Sequence, residues 1–266
     1  MVARVRKALG LRRVGHAGTL DPFATGLMVV LLDRATRLAR FLAENDKTYL
    51  ATARLGVSTD TDDLTGTVTG GVLRDVTDAE MRSAFAALTG TVHQRPPAYS
   101  AKHVSGRRSY QLARRGEAVQ LPAVEVQIHE LVLLDRTADS VTFRARVSSG
   151  TYIRAIARDL GTALGTGGHL TMLRRERIGD LDVANAVPLD RLSSTTPPLL
   201  AAELLRHLPA AGLSASAADD VRHGRSVPWD GGPTPAVAML AEGRLIGVGE
   251  ATGGVLQPSV VLEDPA

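Results

Sequence analysis

Cysteine is absent from the 266 residues. That excludes disulfides and thiolate metal sites and fits a reducing compartment, the cytoplasm. Aromatic residues make up only 3% of the chain, so each tyrosine and phenylalanine has to be weighed individually. No apolar run reaches the roughly 20 residues that cross a bilayer, so no membrane partner is expected. Residues 1–11 are basic and acid-free in the manner of a transit peptide. They are poor in serine and run on into the motif below, so they read as part of the fold. Lysine is scarce: Lys7, Lys47 and Lys102 are the only three among 31 basic side chains. Arginine forks match phosphates and base faces better than ammonium groups do. The seven histidines show no HExxH spacing, so no zinc site is expected.

A hydrophobic content of 44% is ordinary for a globular protein, and this length holds one large domain, or one of about 200 residues and a second, smaller one. The net charge of +3 is unevenly spread. Residues 1–208 hold 28 basic groups against 21 acidic, whereas residues 209–266 hold three (Arg222, Arg225, Arg244) against seven. A basic body steers polyanions such as RNA.

Twelve residues organise the sequence: GHAGTLDPFATG, residues 15–26. Five basic groups (Arg4, Arg6, Lys7, Arg12, Arg13) and no acid lie upstream. Downstream, the apolar run 27–32 reads as a buried strand. Asp21 precedes Pro22, which pushes its backbone out of the helical region and onto an extended loop or turn. On residue types alone Asp21 reads first as an ordinary turn aspartate. Its second reading is a carboxylate placed for nucleophilic or acid–base chemistry on an anionic substrate.

Elsewhere the periodicities predict a short amphipathic helix over 2–9, a helix over 35–43 and a strand over 47–55 with Tyr49 near its start. Residues 57–66 contain Asp60, Asp62 and Asp63 but fail the calcium-loop template, because Leu64 and Thr65 stand at its fifth and sixth positions. They read as a solvated turn. A helix over 77–88 is capped by Thr77 or Asp78. Residues 90–120 carry Lys102, Arg107, Arg108, Arg114 and Arg115 with Tyr99 and Tyr110 interleaved. This is a nucleic-acid footprint or a solvated basic loop with two packed tyrosines. It includes a helix over 109–115, ended by Gly116. Strands follow over 124–134 and 140–148. Along 152–164, Ile153, Ile156, Ala157, Leu160 and Leu164 share one helical face, and Arg154 and Arg158 lie one turn apart on the opposite side. A linker over 184–198, a helix over 199–207 and short strands with glycine turns from 213 complete the chain.

GHAGTLDPFATG resembles the active-site loop of the TruB-type tRNA pseudouridine synthases. KTY at 47–49, QRPPAYSAKHVSGRRSYQLARRG at 94–116, GTYIRA at 150–155 and MLRR at 172–175 resemble later motifs of that family in the same order. The resemblance implies an α+β fold, with a mixed, largely antiparallel sheet flanked by helices. It implies a catalytic domain over 1–208, a thumb insertion at about 89–125 and a small β-rich, PUA-like C-terminal domain over 209–266. It makes Asp21 the nucleophile, Arg154 its partner, Tyr49 the residue stacking on a flipped uracil, and Tyr152 and Leu173 further pocket walls. His16 becomes the residue filling the space left by an opened RNA loop. The implied reaction is isomerisation of uridine 55 in the tRNA T-loop, by a cytoplasmic monomer with no metal, cofactor or protein partner. Two departures stand out. The family has an earlier strand with a Lys-Pro pair, whereas this chain begins inside the helix; and Val124 stands where the family has arginine. Two rival readings are a non-catalytic tRNA-folding factor and a guide-dependent synthase, whose members carry extra basic extensions.

Overall fold

The computed structural model describes residues 1–100, 102–104, 107–113, 115, 117 and 121–262. The chain divides into two compact units. One comprises residues 1–19, 28–44 and 185–266; the other comprises 20–27 and 45–184.

The second unit is built on a seven-stranded sheet. Its strands are β1 (Thr25–Gly26), β2 (Lys47–Leu55), β3 (Gly90–Gln94), β4 (Val124–Arg136), β5 (Ser140–Val147), β6 (Gly168–Ile178) and β7 (Leu181–Asp182). They lie in the order β7-β6-β2-β5-β4-β3, with every pair antiparallel; β1 joins β6 in parallel. The mixed, largely antiparallel sheet expected from the resemblance is therefore present. Period-two alternation decides which face is buried. On β2 the odd positions Lys47, Tyr49, Ala51, Ala53 and Leu55 are buried and the even ones are not. The buried face packs against α1 (Asp78–Ala87) and α2 (Ile153–Ala163).

The five apolar positions predicted for α2 are all buried in this core, together with Val141, Phe143, Ala145 and Val147 of β5. Phe143 meets Phe85 of α1 edge to face, with centroids 6.2 Å apart. Thr77 caps α1 in a reciprocal capping box with Glu80. A Cβ on Gly161 of α2 would lie 2.3 Å from the Gly168 nitrogen, so the start of β6 can approach the helix only because this residue is glycine.

The segment expected to form the thumb leaves β3 and returns at β4. Between them lie a small hairpin, His103–Val104 with Arg107–Arg108, and a helix, Ser109–Ala113. The predicted helix stop at Gly116, and Arg114, lie outside the described residues, as do the side chains of Arg108 and Tyr110.

The first unit contains the helix Val2–Leu9, the strand Val14–His16 paired antiparallel with Val30–Leu32, and a five-stranded sheet over residues 210–261 with the helix Ala215–Arg222. Three local expectations are corrected here. The run 27–32 is a strand only at Val30–Leu32, because Leu27 belongs to the second unit and is bonded to β6. The helix expected over 35–43 begins as a 3-10 turn, Asp33–Leu38, whose first residue is left-handed (φ 47°), and is α-helical only at Ala39–Ala43. The helix at 199–207 shrinks to Ala201–Leu204, since Leu199 and Leu200 stay exposed and bury no face. Arg34 and Arg37 donate to the Leu262 and Val261 carbonyls, and Arg40 to the Ser259 hydroxyl. These bonds tie the end of the last strand to residues 28–44.

Among the described residues, no helix is long and apolar enough to cross a membrane. None of their His, Asp and Glu side chains form a group of three or more that could hold a metal ion.

Candidate active site

Asp21 opens a turn in which its carbonyl accepts the Ala24 N–H at 3.0 Å, as an Asp-Pro start favours. The chain beyond the turn is fastened to β6. Thr25 and Gly26 pair with Arg174 and Arg175. The Leu27 N–H donates to the Arg175 carbonyl, and the Arg175 Nε donates to the Leu27 carbonyl, both at 2.8 Å. Gly26 has φ 100°, and a Cβ there would sit 2.2 Å from the Arg175 carbonyl oxygen, so only glycine fits. Leu20, Phe23 and Ala24 pack onto the core. The turn that carries the carboxylate is thus fastened downstream to β6 and packed upstream on the core through Leu20.

Arg154, in the first turn of α2, is 5% exposed. Its Nε donates to Asp21 Oδ2 at 3.0 Å and its Nη2 to Asp21 Oδ1 at 2.9 Å. This two-bond fork fixes the plane of the carboxylate as well as its position. The remaining donors are also engaged. Nη1 donates to the Thr61 carbonyl at 3.1 Å, and Nη2 donates to the Tyr99 carbonyl at 3.0 Å. Helical periodicity had put Arg154 on the side away from the core; instead the loop 57–66 and the segment following β3 cover it.

That loop is not the solvated turn expected. Asp60 is exposed, but Asp63 is only 4% exposed. Asp63 Oδ1 accepts from the Thr61 hydroxyl at 2.8 Å, the Thr65 hydroxyl at 2.6 Å and the Thr65 N–H at 2.9 Å; its other oxygen lies 3.4 Å from Arg154 Nη1. Arg154 therefore stands between two carboxylates. The signal for Asp63 in the sequence was the set of threonines around it, whose hydroxyls supply the donors a buried carboxylate requires.

Burial pushes the Asp21 carboxyl above its ordinary range. The Arg154 charge and hydrogen bonds pull the other way, and the Asp63 charge adds to the rise. Desolvation outweighs the guanidinium.

Tyr49, 8% exposed, sits opposite Arg175 in the β2–β6 register, two residues from Leu173 on the same face of β6. Arg175 is 1% exposed and hydrogen-bonds the Tyr49 side chain. Burial raises the Tyr49 phenol, the Arg175 cation lowers it, and the Asp21 charge raises it. Tyr152, just ahead of α2, is raised first by burial, and the Asp21 carboxylate again contributes. Arg154, Tyr49 and Tyr152 therefore each lie within electrostatic reach of Asp21, and Leu173 is buried in the same core cluster as Tyr49. Arg175 escaped sequence reading, because a buried arginine in MLRR looks like a surface one. Lys47, also buried, lies near Arg175. Burial first, then the Arg175 charge, lower its pKa from 10.5 to about 8. His16 belongs to the other unit, where it is exposed opposite Val30.

Residues 6–153 match the family described as TruB family pseudouridylate synthase (N terminal domain). The chain belongs to the TruB family. Further TruB matches cover residues 154–208 (tRNA pseudouridylate synthase B C-terminal domain) and 209–262 (Pseudouridine synthase II TruB, C-terminal). Among curated TruB relatives, the tRNA pseudouridine synthase B of Thermobifida fusca (strain YX) is 46% identical over 98% of this chain and 92% of its own. That of Synechococcus sp. (strain WH7803) is 43% identical at the same coverage of both chains. In fold, this TruB chain resembles a protein of an H/ACA RNP bound to a substrate RNA containing 2'-deoxyuridine. The TM-score is 0.73 at 22% identity, covering 99% of this chain and 80% of that one. A chain of the archaeal box H/ACA sRNP Nop10-Cbf5 complex gives 0.75 at 24%, covering 99% and 81%.

Proposed function

We propose that this protein is a tRNA pseudouridine synthase that isomerises uridine 55 of the T-loop, with Asp21 as nucleophile. The observation that carries this reading is the buried Arg154 fork on Asp21, with two tyrosines inside the field of the carboxylate. The relatives named tRNA pseudouridine synthase B support the substrate.

The target uridine leaves its stack and enters the pocket, where an aromatic face receives the base. Asp21, ionised and held in plane by Arg154, attacks the ribose or the base. The N1–C1′ bond breaks, the uracil turns, C5 bonds to C1′, and the bond to Asp21 breaks again, which restores the free carboxylate. The proton on C5 then leaves and N1 regains one, so the reaction is an isomerisation that consumes no co-reactant. Tyr49 stacks on the base, and its hydroxyl, held by Arg175, serves the C5 proton step. Tyr152 and Leu173 close the pocket. His16, exposed on its strand, fills space in the opened RNA loop. Residues 1–208 form the catalytic domain and 209–266 a PUA-like domain, acting as a monomer in the cytoplasm. Affinity comes mainly from phosphate contacts of the basic surface and falls with salt; recognition follows the folded shape of the T-arm.

The test is product mapping on tRNA transcripts. Pseudouridine should form at position 55 and vanish when that uridine is replaced by cytidine. RNA binding without isomerisation would instead favour a non-catalytic tRNA-folding factor.

A further inference from the structure

The first residues of the thumb are laced to the start of α2. Gln94, the last residue of β3, is 2% exposed. Its Oε1 accepts the Tyr152 N–H at 2.8 Å, and its Nε2 donates to the Tyr152 carbonyl at 3.1 Å. Tyr152 is extended (φ −104°, ψ 115°) and has no side-chain cap bond. In an extended residue the N–H and C=O point the same way, so one amide side chain pairs both, as a neighbouring strand would. Two further carbonyls of this segment are held by α2. Arg158 Nη2 donates to the Arg95 carbonyl at 2.8 Å. Arg154 Nη2 donates to the Tyr99 carbonyl at 3.0 Å, using the same nitrogen that grips Asp21 Oδ1. Arg158 is itself anchored by Asp62 and Asp159, both at 2.9 Å. Pro96 and Pro97, both buried, stiffen the backbone between these anchor points.

We propose that Gln94 is a positioning residue for the isomerisation, with Arg158 as a second anchor. Gln94 holds Tyr152 and the first turn of α2 so that Arg154 presents its fork to Asp21. Because the segment it begins leads into the RNA-gripping thumb, it also couples the seating of the thumb to the alignment of the nucleophile. Gln94 touches no reacting atom; its amide is taken up by Tyr152. The inference rests on the isomerase reading above.

The test compares Gln94→Met with the wild type in the full chain, measuring single-turnover rate at saturating enzyme and tRNA Kd separately. Gln127→Met is the control; the Gln127 side chain accepts from the Thr91 hydroxyl on the same strand pair, and the substitution leaves its backbone bonds to Ser148 in place. Loss of alignment without loss of binding should lower the Gln94→Met rate by about tenfold while Kd stays within about threefold. The Gln127 control should keep both values. A rate loss of about threefold or less in the folded variant, or a Kd weakened in proportion to the rate, would overturn the proposal. If Gln94→Met does not fold, Arg158→Lys decides by the same split. An inactive wild type would sink the isomerase reading and this inference with it, whereas an active wild type with indifferent Gln94 and Arg158 variants sinks this inference alone.

Discussion

Replacing Arg154 by lysine keeps the charge and removes the fork. The guanidinium makes four hydrogen bonds, two to Asp21 and one each to the Thr61 and Tyr99 carbonyls, and lies 3.4 Å from Asp63. A single ammonium cannot hold both Asp21 oxygens in plane while reaching two carbonyls. The carboxylate then loses its fixed orientation. A misplacement of about 1 Å costs about 100-fold in rate, or about 2.7 kcal/mol in the barrier. Affinity for tRNA should stay within about threefold, because it is spread over many phosphate contacts. Methionine at the same position is the harsher change, leaving the buried Asp63 and the partly buried Asp21 without their cation. Breaking such an arrangement costs about 3–5 kcal/mol, which for a chain of this size lowers Tm by roughly 6–20 °C. The assay is single-turnover isomerisation of tRNA beside filter-binding affinity and a thermal melt. Turnover of Arg154→Lys within about threefold of wild type, or equal losses in rate and Kd, would refute the reasoning.

Other outcomes follow from the same geometry. Tyr49→Phe should bind tRNA normally and stall at the C5 proton step or at product release, since the ring remains and the Arg175-bound hydroxyl is gone; wild-type turnover would rule out a chemical role for the hydroxyl. With its carboxyl raised by burial, Asp21 should ionise at a higher pH than the ~3.9 of a free aspartate. The single-turnover rate should therefore climb with pH with a midpoint above that value, and a midpoint at or below it would contradict the desolvation argument. Lys47 binds its proton less tightly folded than unfolded between pH 8 and 10.5, so stability should rise with pH across that interval. The full effect is roughly 3 kcal/mol. Melts of wild type and Lys47→Met over this range measure it, and equal slopes for the two would count against a buried, charged Lys47.

Where local pattern decides the structure, the sequence was readable. The apolar stripe Ile153, Ile156, Ala157, Leu160, Leu164 defined α2, the alternation of KTYLATARL defined β2, and Asp21-Pro22 announced a turn. Where distant contacts decide, it was not. Asp63 looked solvated because its neighbours are polar, yet those neighbours are the donors that make its burial tolerable. Arg154 and Arg158 fell on the polar side of a helical wheel, which cannot tell a solvent face from one covered by other loops. The apolar run 27–32 gave no hint that the chain passes from one compact unit to the other between Leu27 and Met28. Positions bound through a motif, Asp21 and Tyr49 among them, were named from resemblance; the buried residues supporting them, Asp63 and Arg175, came only from packing.

Asp21→Asn tests the central claim most directly. Asparagine keeps the shape of the side chain and removes the charge that Arg154 orients. With tRNA tritiated at C5 of uridine, the variant should bind with wild-type affinity and release no tritium, while the wild type releases it in step with product. Tritium release by the variant at a rate near wild type would contradict the assignment of this carboxylate as the nucleophile.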